Sequence, residues 1–69
     1  MDPDANLREQ RGIARAIQKV LDDCNGDGSL TDGQQFYVAA QAERLAELVE
    51  ALDGWITKGG FLPARWRNA

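Results

Sequence analysis

A chain of 69 residues with 43% hydrophobic and 28% charged residues is one small folded domain, too apolar to remain disordered. Its single cysteine, Cys24, excludes an internal disulfide, and it contains no histidine to serve as a catalytic base. The net charge of −3 argues against a nucleic-acid backbone as the default partner, and no apolar run approaches the ~20 residues needed to cross a bilayer.

The opening Met1-Asp2-Pro3-Asp4 has neither the basic region nor the apolar stretch of a signal peptide, so a cytoplasmic location is the expectation. Two helix starts compete there. Asp2 before Pro3 suits an N-cap with proline at the first helical position. Asn6 with Glu9 three residues on forms a capping-box pattern. From there Leu7, Ala14, Ile17 and Leu21, widened by Ile13, Ala16 and Val20, mark the apolar stripe of an amphipathic helix over about 5–22. Gly12 lies inside it, either as a weak spot costing about 1 kcal/mol relative to alanine or as a point of close backbone approach.

After Asp22 the periodicity stops. Asn25-Gly26 and Asp27-Gly28 are turn dipeptides, and Asp23–Gln34 follows much of an EF-hand loop. Oxygen-bearing Asp23, Asn25, Asp27, Ser29, Thr31 and Gln34 stand at ligand positions 1, 3, 5, 7, 9 and 12, with Gly28 at the sharp turn and Leu30 at the aliphatic eighth place. These residues make calcium a candidate cofactor. Three departures oppose it. Gln34 replaces the bidentate glutamate. The helix entering the loop shows Asp22, Lys19, Gln18 and Arg15 where an EF-hand is apolar. No second loop exists to pair with. The competing reading is a polar hinge whose side chains cap helix ends.

Thr31 with Gln34 is again a capping box, and Asp32 adds negative charge to the first turn of a second, longer helix over about 32–58. Val38, Leu45 and Leu52 repeat every seven residues; Ala42, Val49 and Ile56 run beside them, as do Leu48 and Trp55. Gly54 interrupts without changing the register. Lys58-Gly59-Gly60 then ends the helix, and a short apolar tail follows to residue 69.

An antiparallel hairpin aligns Arg15 with Glu43, Arg11 with Glu47 and Arg8 with Glu50, and the same register brings Ile13 to Leu45 and Val20 to Val38. Exposed ion pairs contribute only about 0–1 kcal/mol each, so their expected role is alignment. Trp55 and Ile56 then overhang the first helix, and Phe61, Leu62 and Trp66 of the tail are the residues available to cover them. Two helices leave apolar surface over, so self-association into a four-helix bundle is expected, with a different protein as the competing cover.

The segment Arg44–Trp66 carries Arg44-Leu45-Ala46-Glu47-Leu48-Val49, Ala51-Leu52-Asp53, Trp55, and Gly59-Gly60-Phe61-Leu62-Pro63 with Trp66. It resembles the C-terminal part of small, mostly uncharacterised helical proteins of actinobacteria and their phages. The resemblance covers about a third of the chain and implies a phage or prophage origin in a bacterial host, without implying an activity.

The expectation is therefore an all-α hairpin of non-enzymatic role. It acts by protein–protein interaction through Trp55, Phe61, Leu62, Arg65 and Trp66, residue types enriched at binding hot spots. Alternatives are a weak calcium module and a DNA-linked regulator resting on the basic edge of the first helix. An enzyme is disfavoured: the chain has no nucleophile–base pair and no phosphate-binding glycine motif, and it is expected to be too small for a cleft of several hundred Å³.

Overall fold

The computed structural model describes residues 1–23 and 29–67. Three helices follow one another: α1 (Pro3–Asp23), α2 (Asp32–Thr57) and α3 (Ala64–Arg67). The long pair α1 and α2 pack against each other as an all-α helical hairpin.

At the start of α1 the aspartate–proline cap prevails over Asn6. Asp2 Oδ1 accepts from the Asp4 and Ala5 backbone N–H groups at 3.0 and 3.2 Å, and Pro3 occupies the first helical position, where a missing N–H costs nothing. The helix thus begins two residues before the expected start at residue 5. Asn6 is freed for another task. It is buried, and its side-chain amide donates across the hairpin to the Leu48 carbonyl at 3.0 Å while its Oδ1 accepts from Gln10 Nε2. Gly12 meets no atom within 4 Å of an added Cβ, so it is a weak spot and not a close approach.

The capping box opens α2 as expected. Thr31 Oγ1 accepts from the Gln34 N–H at 3.1 Å, and Gln34 Oε1 accepts from the Thr31 N–H at 2.9 Å. The helix runs through Gly54 and ends at Thr57 in a Schellman turn. The Gly60 N–H reaches the Trp55 carbonyl at 2.8 Å, and the Gly59 N–H reaches that of Ile56 at 3.0 Å. Gly59 carries φ +92°, which only glycine adopts without strain.

Buried and half-buried positions recur at alternating steps of three and four on both helices. One such row on α1 is Pro3, Asn6, Gln10, Ile13, Ile17 and Val20, with Leu7 buried beside it; on α2 it is Gln34, Val38, Gln41, Leu45, Leu48, Leu52 and Trp55. This is the seam of a coiled-coil-like pair. Ala42 and Val49 lie outside it and are exposed.

The register differs from the one that the charge ladder and the apolar pairs Ile13–Leu45 and Val20–Val38 together suggest. Among the described residues the ion pairs are Arg44 with Glu9 and Arg44 with Glu47; Arg8, Arg11 and Arg15 make none. The pairs Asn6–Leu48 and Glu9–Arg44 place α2 about one helical turn away from the ionic alignment. Magnitudes explain the outcome. Fully burying a leucine or isoleucine contributes about 1.5–3 kcal/mol, more than an exposed ion pair. The register adopted buries Leu7, Ile13, Leu48 and Leu52 to 8% exposure or less. It also lengthens the overhang of α2 beyond Pro3, which the tail fills.

Candidate interaction surface

The hairpin has a closed end, where the tail folds back, and a loop end beyond which α1 and α2 are joined. At the closed end the Schellman turn reverses the chain so that Trp55 faces the tail. Trp55 Nε1 donates to the Phe61 carbonyl at 2.9 Å, and the two rings meet edge to face with centroids 5.4 Å apart. An added Cβ on Gly60 would lie 2.4 Å from the Trp55 indole, so this position excludes any side chain while the indole stays in place. The tail is then tied to α1. The Ala64 N–H donates to Asp4 Oδ1 at 2.6 Å, and Pro63, like Pro3, is fully buried. Trp66 borders a cleft lined by Gln10, Val49, Leu52 and Ile56, close to the hairpin seam.

The anchored tail still shows apolar surface. Phe61 is 54% exposed, Trp66 42% and Leu62 38%, whereas Trp55 is half-buried. The sequence leaves open whether these aromatics close on themselves or face outward, and the structure shows both. The indole N–H and the backbone are satisfied inside, while the outer faces of Phe61 and Trp66 remain in solvent. Arg65 is exposed and lines a second cleft with Asp4, Leu7, Arg8, Arg11 and Ala64. That cleft, of about 330 Å³, corrects the expectation that the chain is too small for one.

No family model matches this chain, and neither a curated protein nor a solved structure shows significant similarity to it.

At the loop end, Asn25, Asp27 and Gly28 of the calcium-loop reading lie outside the described residues, as does Cys24. Of the others, Asp23, Ser29 and Thr31 are exposed and Gln34 is half-buried. Thr31 Oγ1 and Gln34 Oε1 each cap the other's backbone. Among the described residues no group of three or more acidic or cysteine side chains is placed to hold a metal.

The loop end also carries exposed apolar side chains: Leu21, which periodicity places on the inward stripe of α1 but which lies beyond the packed part of the seam, and Phe36 and Tyr37, which periodicity does not single out. Phe36 is 79% exposed, Leu21 54% and Tyr37 41%. Phe36 and Tyr37 stand immediately after the capping box and off the heptad rows. Two adjacent aromatics cannot both enter one seam, and that was the available signal.

Charge is sorted along the hairpin. Glu9 and Arg44 form a two-pronged pair, Nε to Oε2 at 2.8 Å and Nη2 to Oε1 at 3.1 Å, while Arg44 Nη1 reaches Glu47 at 3.3 Å. The guanidinium hydrogen bond, more than its charge, holds the Glu9 carboxyl below its ordinary range, and Glu9 in turn raises Arg44. With Arg44 taken, the basic edge Arg8, Arg11 and Arg15 has no carboxylate at ion-pair distance among the described residues. No described helix is long and apolar enough to cross a membrane.

Proposed function

We propose that this chain is a small helical protein of non-enzymatic role, of phage or prophage type, that acts by binding a protein of its host or of a phage. The observation that carries this reading is the tail. It is held at two points, by the Trp55–Phe61 and Asp4–Ala64 hydrogen bonds, and yet presents Phe61, Leu62 and Trp66 outward. Aromatic side chains held in place before binding lose little freedom on association, which is what an affinity surface needs. The resemblance over Arg44–Trp66 supports the phage-type assignment, since the tail is its most distinctive part. Self-association belongs to the same reading: Leu21, Phe36 and Tyr37 form separate apolar area at the loop end, and a four-helix bundle of two hairpins would cover part of it.

The test is a pull-down from host lysate with the wild-type chain and with Phe61→Ala/Trp66→Ala, alongside light scattering of both. The expected result is a specific protein retained by the wild type and lost with the double variant, whose helical circular dichroism is unchanged. Equal retention by both, or none by either, refutes the tail as a binding surface.

The unpaired arginine edge of α1 favours a second reading, a DNA-linked regulator. A salt-sensitive mobility shift of duplex DNA, lost in Arg8→Gln/Arg15→Gln, is its expected signature.

A further inference from the structure

The tail does more than cover the overhang of α2. It brings Arg65 to the cleft that also contains Arg8 and Arg11, with Leu7 and Ala64 as apolar wall and Asp4 as its one acidic residue. Among the described residues none of the three arginines has a carboxylate within ion-pair distance. The single acid is partly committed, because Asp4 Oδ1 accepts the Ala64 N–H. Arg11 is the least exposed of the three, and its Nε lies beneath the surface, so only its remaining guanidinium nitrogens are available to a ligand.

Three arginines and one aspartate among the lining residues give the cleft a formal excess of two positive charges, on a chain whose total is −3. Planar guanidinium forks match the oxygens of phosphate and carboxylate groups. The cleft's volume of about 330 Å³ sits at the lower end of small-ligand sites, roughly 300–1,000 Å³. We propose that this cleft is an anion site that takes the dianionic phosphate of a small phosphomonoester. The double negative charge matches the local excess, which a single carboxylate or phosphodiester would neutralise only in part. The apolar wall of Leu7 and Ala64 accommodates the carbon body beside the phosphate. Arg65 arrives only because Pro63 is buried and Ala64 is bonded to Asp4, so the site exists only when the tail is docked.

Titration of the full chain with inorganic phosphate at constant ionic strength, followed by amide NMR, tests the site. The expected result is saturable shifts at the Leu7, Arg11 and Ala64 amides, with acetate and chloride producing none. Arg65→Gln should weaken phosphate binding about tenfold or more, since one charge-assisted fork is lost. Lys58→Gln, which removes the same charge outside the cleft, should leave binding unchanged. Circular dichroism of both variants checks that the helices persist. Shifts that grow linearly without saturation, an equal response to acetate, or equal weakening by Arg65→Gln and Lys58→Gln would overturn the assignment. Because phosphate binding is read directly on this chain, it stands or falls apart from capture of a protein partner by Phe61 and Trp66.

Discussion

The closed end and the loop end are built from the same two helices and differ in what occupies the seam. One row of α2 reads Gln34, Gln41, Leu48, Trp55: two amides toward the loop, two large apolar groups toward the tail. The fully buried core follows that change. Leu7, Ile13, Leu48 and Leu52 are buried, along with Pro3 and Pro63, whereas Leu21 and Phe36 near the loop are more than half exposed. A heptad pattern thus specifies which side of a helix faces inward, while the size of the residues in each row decides where stability accumulates.

The largest effect that can break this comparison comes from paired truncations. Leu52→Ala, at 3% exposure, should cost about 2–5 kcal/mol in urea denaturation, and Phe36→Ala, at 79%, should change monomer stability by no more than about 0.5 kcal/mol. Equal losses would show that the loop end is packed as well as the closed end. Gly60→Ala comes next. Its Cβ collides with the Trp55 ring, a rigid group that can move only by undocking from Phe61, so a loss of about 1–3 kcal/mol and a red-shifted tryptophan emission are expected. Smaller and of opposite sign is Gly12→Ala, where open space surrounds the added methyl group; it should stabilise by about 0.5–1 kcal/mol in thermal unfolding.

The smallest effect is that of pH at mid-hairpin. Glu9 titrates lower in the folded chain than in the unfolded one, because Arg44 donates to its carboxylate. The stability it contributes is therefore fully present above its ordinary value of 4.5 and is lost as pH falls through the lowered folded value. Both groups are exposed, so the acid limb of a stability–pH curve should be shallow. Glu9→Gln should flatten it further; an unchanged limb would mean that the pair does not persist in solution.

Much of the architecture is readable in the residues themselves. Thr31 with Gln34, Asp2 with Pro3, and Gly59-Gly60 act through bonds to backbone a few positions away, and local chemistry of that kind needs no knowledge of the fold. The hairpin register was not readable from charge. Three arginines and three glutamates at matching intervals form a persuasive ladder, but each rung is weak compared with a buried leucine. Local sequence leaves the two helix starts, Asp2–Pro3 and Asn6–Glu9, undecided for a related reason. The sequence context of Asn6 is a good cap, and only the approach of Leu48 gives its amide a better use. The tail was half legible: its apolar residues required a place to pack, whereas the anchoring of Ala64 by Asp4 joins groups with no pattern between them. The arginine cleft follows from that anchor and was equally hidden.

The Asp4–Ala64 hydrogen bond joins residues 60 positions apart, and this bears on the order in which the molecule assembles. Contacts near the loop join short stretches of chain and close at little entropic cost, whereas the closed end requires the longest loop to be shut first. During synthesis α1 and most of α2 are complete before Pro63 and Ala64 emerge. Until then Trp55 has no Phe61 beside it, and the overhang of α2 stands uncovered. Docking of the tail, which completes the closed end, is therefore expected to be the last step, and Trp55 and the overhang stay open to aggregation until it occurs.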